Sequence, residues 1–302
     1  MRTLLAIVFL LFGTTSYSYG EIIHFIENNP NRESISPDQL AKLWPIDSHR
    51  FLQHPPSKLG LPESDYLTEM VWHANDHPNT GKIVIGGGWC SAERFPGQAR
   101  AVTAGHCKYS SSGPIKGGIF VLPNGEQFPI TQTWVTSRLI QTINVIPSEE
   151  DYAIIGWDTQ DPTPPPPLPR PCRRRCRSYA KTLTAMPVSI EDPGINRIVT
   201  VRGYSSGHDA GNNMVKFTSI TMRLFDSTTY IFGGNMEPGI SGAVVLCDAG
   251  NPAPEDAGIQ FNVWCGILTL YVTDGTGTTV QNGAAFLNEP AWSDLLTTAG
   301  IQ

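Results

Sequence analysis

Residues 161–171 read Asp-Pro-Thr-Pro-Pro-Pro-Pro-Leu-Pro-Arg-Pro, and neither a helix nor a central strand can run through such a stretch. Each proline lacks a backbone N–H and has a fixed φ, so the segment is expected to be an extended, polyproline II linker. It separates two parts of the chain that are both dense in turn residues. With 29 Gly and 25 Pro in 302 residues and only 16% charged side chains, short strands between turns are favoured over long helices. The 40% hydrophobic content suffices for one large domain or two small ones. A net charge of −6 argues against nucleic acid as a partner, since phosphate binding needs a basic footprint.

Short β-branched or aromatic runs lie on both sides of the linker. Before it they fall at 83–85, 118–122, 128–134 and 153–157; after it they fall at 198–201, 216–224, 244–247, 264–270 and 284–287. A final helix is expected at 291–296. Residues 21–80 differ, with two helix signals and few strand signals. Ser36-Pro-Asp-Gln39 offers an N-cap, a proline at the first helical position and a capping-box glutamine. Ser64 caps a second expected helix through Tyr66, Leu67, Met70 and Val71. No internal repeat is visible.

The first twenty residues have the form of a signal peptide. Arg2 supplies the positive start, residues 4–12 the apolar core, and Ser18 and Gly20 the small residues before a cut at Gly20–Glu21. The apolar run is too short to span a bilayer. The mature chain is therefore expected to be exported, either secreted or periplasmic, without membrane insertion. In an oxidising compartment the six cysteines, Cys90, Cys107, Cys172, Cys176, Cys247 and Cys265, point to disulfides. They do not show the paired spacing of a zinc ribbon. Export also sets aside the proline tract as a ligand for cytosolic SH3-type domains. The arginines beside it (Arg170, Arg173, Arg174, Arg175, Arg177) suit a solvated loop, with a processing site or an anionic-surface contact as alternatives.

Three segments carry residue types suited to acyl transfer. Amide hydrolysis by a hydroxyl needs a base, a buried carboxylate to orient it, and donors for the developing oxyanion. In Ala101-Val-Thr-Ala-Gly-His106-Cys107, an apolar strand runs into small residues and then a histidine beside a cysteine. Cys90 lies 17 positions before Cys107, so a disulfide between them would pin that loop. In Glu149-Glu150-Asp151-Tyr-Ala-Ile-Ile155, Asp151 sits at the mouth of an apolar strand, while Glu149 and Glu150 are expected to be solvated. In Glu237-Pro-Gly239-Ile-Ser241-Gly242-Ala243, glycines flank a serine, so the backbone can turn sharply and present N–H groups.

Together these segments resemble the trypsin/chymotrypsin-like serine proteases. Thr103-Ala-Gly-His106-Cys107 matches the family's T-A-A-H-C motif, Asp151 to Ile155 its D-x-A-[IVL]-[IVL] pattern, and Gly239-Ile-Ser241-Gly-Ala243 its G-D-S-G-G motif. The resemblance covers about residues 81–302 and extends to Gly266-Ile-Leu-Thr269-Leu-Tyr271 and to Gly283 with the terminal helix. It implies an all-β fold of two six-stranded antiparallel β-barrels with the active site between them. The first barrel would span about 81–160 and the second about 179–302, joined by a linker at 161–178. Residues 1–20 would be the signal peptide and 21–80 a propeptide or N-terminal extension. Ser241 would then be the nucleophile, His106 the base and Asp151 its orienting carboxylate. The N–H groups of Gly239 and Ser241 would form the oxyanion hole. Asn235, Tyr271 and Gly283 would line the substrate pocket, and Thr269 would hydrogen-bond near Asp151.

Two departures qualify the resemblance. The family's aspartate before the nucleophile is Ile240, which cannot take the ion pair that orders trypsin-like zymogens on activation. Lys82-Ile83-Val-Ile85-Gly-Gly87 is accordingly read as an internal strand and not an activation site, and the chain looks closer to bacterial members such as glutamyl endopeptidases. Asn235 in place of an acidic pocket residue does not support a preference for Arg or Lys, and residues 266–271 lack a histidine that would suggest a glutamyl preference.

Cys90–Cys107 is the expected disulfide. Cys247–Cys265 and Cys172–Cys176 would complete the set, with other pairings of those four left open. His73 and His77 have a helical zinc spacing, but no glutamate is placed as base and Pro78 follows at once. His208-Asp209 sits in a polar, glycine-containing loop and reads as surface. The rival class is a protease-like fold serving as a secreted binding or adhesion module. The expected partners are peptide or protein substrates, with no cofactor or metal and a monomeric chain.

Overall fold

The computed structural model describes residues 20–27, 78–145, 148–158, 197–206, 214–224, 229–233, 238–248, 262–273, 279–287 and 289–301, with single positions and short pieces at 35, 36, 39, 44, 45, 51–53, 69, 70, 211 and 236. The expected signal peptide up to residue 19, the proline tract and its arginines, Cys172, Cys176, His73, His77, His208, Asp209 and Asn235 lie outside the described residues.

The fold is mostly β. From the N-terminal segment come β1 (Ile22–Ile26), β2 (Trp44–Pro45), β3 (Phe51–Gln53) and β4 (Glu69–Met70). The next part supplies β5 (Thr80–Ile85), β6 (Gly88–Arg94), β7 (Arg100–Thr103), β8 (Tyr109–Ser110), β9 (Gly113–Pro114), β10 (Ile119–Val121), β11 (Gln127–Pro129), β12 (Gln132–Thr136) and β13 (Ala153–Gly156). The last part supplies β14 (Arg197–Gly203), β15 (Val215–Leu224), β16 (Thr229–Gly233), β17 (Val244–Asp248), β18 (Asn262–Thr273) and β19 (Thr279–Phe286). Helix α1 (Ser137–Thr142) follows β12, and α2 (Glu289–Thr298) follows β19.

The first sheet runs β1-β12-β13-β7-β6-β5-β10-β11, with β2 beside β6. The second runs β14-β17-β18-β19-β16-β15-β4, with β3 beside β18, and β15 also pairs with β14, so six of its strands pair in a ring. The short β2 and β3 contacts are parallel, whereas the ladders that build the sheets are antiparallel. β8 and β9 form a separate two-stranded hairpin.

Most expected strands are present with modest shifts of boundary. The run at 128–134 splits into β11 and β12, because β11 pairs with β10 while β12 pairs with β13 and β1. Pro129 ends the first piece, and Ile130 N then donates to Gly118 O. The N-terminal segment is more strand-like than its composition suggests. β1 aligns five residues with β12, from Ile22 opposite Thr136 to Ile26 opposite Gln132. The capping box at 36–39 forms, with Ser36 N donating to Gln39 Oε1 at 2.9 Å and Gln39 N to Ser36 Oγ at 3.3 Å. The second expected helix is corrected at its end: Glu69 and Met70 form a strand opposite Phe217 and Lys216, where the open edge of β15 offers unpaired backbone groups.

One apolar cluster joins the two sheets and α2. Phe95, Val102, Trp134, Tyr152 and Ile154 from the first meet Val244, Leu246, Trp264 and Ile267 from the second and Trp292, Leu295 and Leu296 from α2. Burial of Ala291, Trp292, Leu295, Leu296 and Ala299 against exposed Ser293, Asp294, Thr297 and Thr298 gives the helix one apolar face. A second tie between the sheets is polar: Arg202 Nη2 of β14 donates to Glu93 Oε1 of β6 at 2.6 Å, with both side chains buried. Thr80 Oγ1 donates to the other carboxylate oxygen at 2.6 Å, so the buried charge is fully engaged.

Candidate active site

β7 and β13 are antiparallel neighbours, with Thr103 opposite Ala153. His106 follows the end of one and Asp151 precedes the start of the other, so both leave the sheet at the same edge. The three residues Gly105–Cys107 form a buried 3-10 turn. Asp151 Oδ2 accepts from His106 Nδ1 at 2.9 Å, and Asp151 Oδ1 accepts from the backbone N of His106 at 2.8 Å. One carboxylate thus fixes both the ring and the turn that carries it. Asp151 has no exposed surface and His106 is 4% exposed, a burial that the charge-assisted bonds must offset. With Nδ1 held as the donor, Nε2 is the basic nitrogen, and among the described residues it has no hydrogen-bond partner. A Cβ at Gly105 would lie 2.3 Å from Leu139 Cδ2 and 3.0 Å from Asp151 Oδ1, which shows how closely the carboxylate packs on the turn.

The surroundings hold this edge in place. Cys90 and Cys107 form the expected disulfide, joining β6 to the turn. Lys108 is buried, and its Nζ lies 2.9 Å from Glu27 Oε1 and donates to Gly117 O at 2.8 Å. Glu27 also accepts from Gly117 N at 2.5 Å and Thr133 Oγ1 at 2.6 Å. Burial lowers the Lys108 ammonium pKa, and the Glu27 charge opposes that shift. Neither Glu27 nor Lys108 was marked by a motif. Glu27 belongs to a segment that looked peripheral in sequence.

Of the two competing carboxylates, one differs from expectation. Glu149 is partly exposed and pairs with Arg138 at 2.5 Å. Glu150, expected to be solvated, is instead buried, because the turn into Asp151 folds it inward with φ at 51°. Its carboxyl pKa is raised, first by burial, with a Thr136 hydrogen bond acting the other way.

Ser241 comes from the second sheet, in the turn before β17, and is 1% exposed. Gly239 and Gly242 have φ of +95° and +89°, a region that disfavours side chains. A Cβ on Gly242 would lie 2.1 Å from Ser91 O and 2.3 Å from Thr103 Oγ1. The serine turn is thus packed against the end of β7, three residues from His106. Ser91 N donates to Ser241 O at 2.8 Å, and Gly242 N donates to Leu268 O at 2.7 Å.

Of the expected pocket residues, Gly283 is buried in β19 opposite Leu270 and Ile231, and Tyr271 stands in β18 opposite Asn282 and Phe51. Thr269 is buried at the irregularity between Leu268 and Leu270. Cys247 and Cys265 occupy adjacent antiparallel strands, with Cys247 opposite Val263. Ile83, at the apparent activation site, has no exposed surface and pairs with both Cys90 and Phe120, as an internal strand should. Among the described residues the cluster with metal-ligand geometry is Cys90, His106 and Cys107, and its two sulfurs are already bonded to each other. No described helix is long and apolar enough to cross a membrane.

No protein-family model and no curated protein sequence matches the chain. Solved structures do match in fold. A Glu endopeptidase in complex with MPD superposes with a TM-score of 0.54 at 17% identity, covering 78% of this chain and 96% of that one. A thermostable serine protease, AL20, from an extremophilic microorganism gives 0.52 at 16% identity, with 75% and 99% covered. The protease Anisep from Arthrobacter nicotinovorans gives 0.51 at 15% identity, with 77% and 99% covered. At such identities the likeness is one of fold: this chain has the trypsin-like fold of serine proteases.

Proposed function

We propose that this chain is an exported serine endopeptidase that hydrolyses peptide bonds through Ser241, His106 and Asp151, on a fold of two six-stranded barrels with the site between them. The observation that carries this reading is the histidine whose Nδ1 and backbone N are both bound by one buried carboxylate, at 2.9 and 2.8 Å. That arrangement leaves Nε2 as the base, on the edge where the serine turn packs. In the proposed reaction His106 takes the Ser241 proton as Oγ attacks the scissile carbonyl, forming a tetrahedral intermediate. The N–H groups of Gly239 and Ser241 meet its oxyanion. The imidazolium, stabilised by Asp151, then protonates the leaving amine, and water releases the acyl group by the same steps in reverse order of partners.

Asn235, Tyr271 and Gly283 are proposed to shape the substrate pocket. None supplies a negative charge, so Arg and Lys side chains are disfavoured. A fold neighbour is a Glu endopeptidase, but residues 266–271 here carry no histidine to receive an acidic side chain. Export is supported by the signal-like residues 1–20 and by the Cys90–Cys107 disulfide, which suits an oxidising compartment. The place of β1 in the first sheet favours a mature chain that keeps residues 21–27.

The test is labelling of the native chain with a fluorophosphonate, followed by peptide hydrolysis assays of Ser241→Ala. Labelling at Ser241, and loss of hydrolysis in the variant, are expected. Full peptidase activity in Ser241→Ala would overturn the assignment, and absence of labelling would favour the binding-module reading.

A further inference from the structure

The serine turn leads into a strand of the second sheet, and Ser91 of the first sheet binds it at two carbonyls. Ser91 follows the disulfide-bonded Cys90 in β6 and has no exposed surface. Its hydroxyl donates to Gly239 O at 3.0 Å and accepts from Tyr204 N at 2.8 Å. Its N–H donates to Ser241 O at 2.8 Å, and its carbonyl accepts from Thr103 Oγ1 at 2.8 Å. The hydroxyl thus uses its one hydrogen and one lone pair on two backbone groups of the second sheet.

Every carbonyl from Pro238 to Ser241 is pinned. Pro238 O accepts from Ser206 N at 2.8 Å, Ile240 O from Ala243 N at 2.9 Å, and Ser241 O from Ser91 N at 2.8 Å. These three are backbone bonds. The fourth, at Gly239 O, is made by the Ser91 side chain. In a trans peptide the C=O and N–H point to opposite sides, so holding a carbonyl also aims the N–H across the plane. The Gly239–Ile240 peptide lies between the N–H groups of Gly239 and Ser241, and glycine's small rotational barriers make it the easiest plane of the turn to rotate. Ile240 is buried and brings no charge that could hold it.

We propose that Ser91 is a positioning residue for this site: its hydroxyl locks the Gly239–Ile240 peptide, the plane that links the two peptides bearing the oxyanion donors, and so fixes the spacing and relative orientation of the Gly239 and Ser241 N–H groups, without a proteolytically created N-terminus. The inference rests on the peptidase reading for its catalytic consequence, but the lock itself is a matter of backbone orientation. Because Ser91 adjoins Cys90, and Cys90 is bonded to the neighbour of His106, the same short segment spaces the base from the nucleophile turn.

The experiment is Ser91→Ala in the full chain, with Ser91→Thr as the variant that restores a hydroxyl. For Ser91→Ala, kcat on a peptide substrate should fall by about 10- to 100-fold, since small misplacements of oriented groups have effects of that size. KM should change little, and inhibition by a peptide aldehyde, which needs the oxyanion donors, should weaken in step with kcat. Ser91→Thr should recover much of both. A Ser91→Ala chain with lowered melting temperature but wild-type kcat and aldehyde affinity would overturn the proposal and leave Ser91 a purely structural residue. A crystal structure of Ser91→Ala gives a readout independent of activity: a rotated or disordered Gly239–Ile240 peptide is expected, and an unchanged one would overturn the lock. If the wild-type chain itself neither labels nor hydrolyses peptide, the peptidase reading fails, and the lock is still decided by that peptide's orientation.

Discussion

His106 and Ser241 are held in different ways. The histidine side is secured within one sheet: neighbouring strands β7 and β13 deliver His106 and Asp151 to one edge, and two hydrogen bonds to a single carboxylate join them. The disulfide and the buried Glu27–Lys108 pair reinforce that edge from β6 and β1. The serine side depends on a neighbour in the other sheet. Its turn needs two glycines with positive φ and two hydrogen bonds from Ser91. A histidine–carboxylate pair can therefore be built from adjacent strands, while the serine turn falls into place only once the two sheets have packed.

The contrast is broken most directly at Asp151. Asp151→Asn should lower kcat by roughly 10⁴-fold while leaving the fold intact, because an asparagine no longer enforces the useful tautomer. Steady-state kinetics on a peptide substrate would check this, and near-normal kcat would mean that the carboxylate does not orient the base.

A smaller effect is expected from Glu27→Ala, which tests whether β1 belongs to the histidine side. It leaves Lys108 buried without its countercharge, and unfolding free energy should fall by about 3–5 kcal/mol in denaturant titrations. Because burial already holds the Lys108 pKa below its usual value, the unfolded chain binds that proton more readily than the folded one. The loss should therefore ease as pH rises above neutrality. Wild-type stability in Glu27→Ala would show that the segment following β1 does not support the histidine side.

The smallest effect is at Glu150. Its raised pKa means that the folded chain holds the proton more tightly than the unfolded chain. Its stabilising contribution is present below the ordinary glutamate pKa and is lost as pH rises through the raised value. Glu150→Gln should then melt slightly above wild type at neutral pH, with the difference closing in acid. A melting temperature equal to or below wild type at neutral pH would show that Glu150 is engaged as a charge.

How much was legible follows the same division. The His106–Asp151 contact and the Cys90–Cys107 disulfide were readable because they depend on what flanks these residues: an apolar strand, small residues, a cysteine at a fixed spacing. The β-rich class and most strand positions were readable from β-branched runs between turn residues. Glu27 and β1 were not, since a strand of five residues at a sheet edge carries little pattern, and a buried glutamate looks like any other until its lysine is found 81 positions away. Glu150 was misread because adjacent acidic residues look alike in sequence, and only the turn at positive φ sends one of them inward.

By itself the sequence determined most strands from residue 83 onward, the candidate base with its carboxylate, the disulfide beside them and the glycine-flanked serine, since each rests on local propensity or close spacing. Only the tertiary structure decided that Ser91 holds Gly239, 148 positions away, and that Arg202 meets Glu93 across the sheets. The physical reason is that such bonds gain their strength from burial and fixed geometry, and both exist only after the two sheets have excluded water between them.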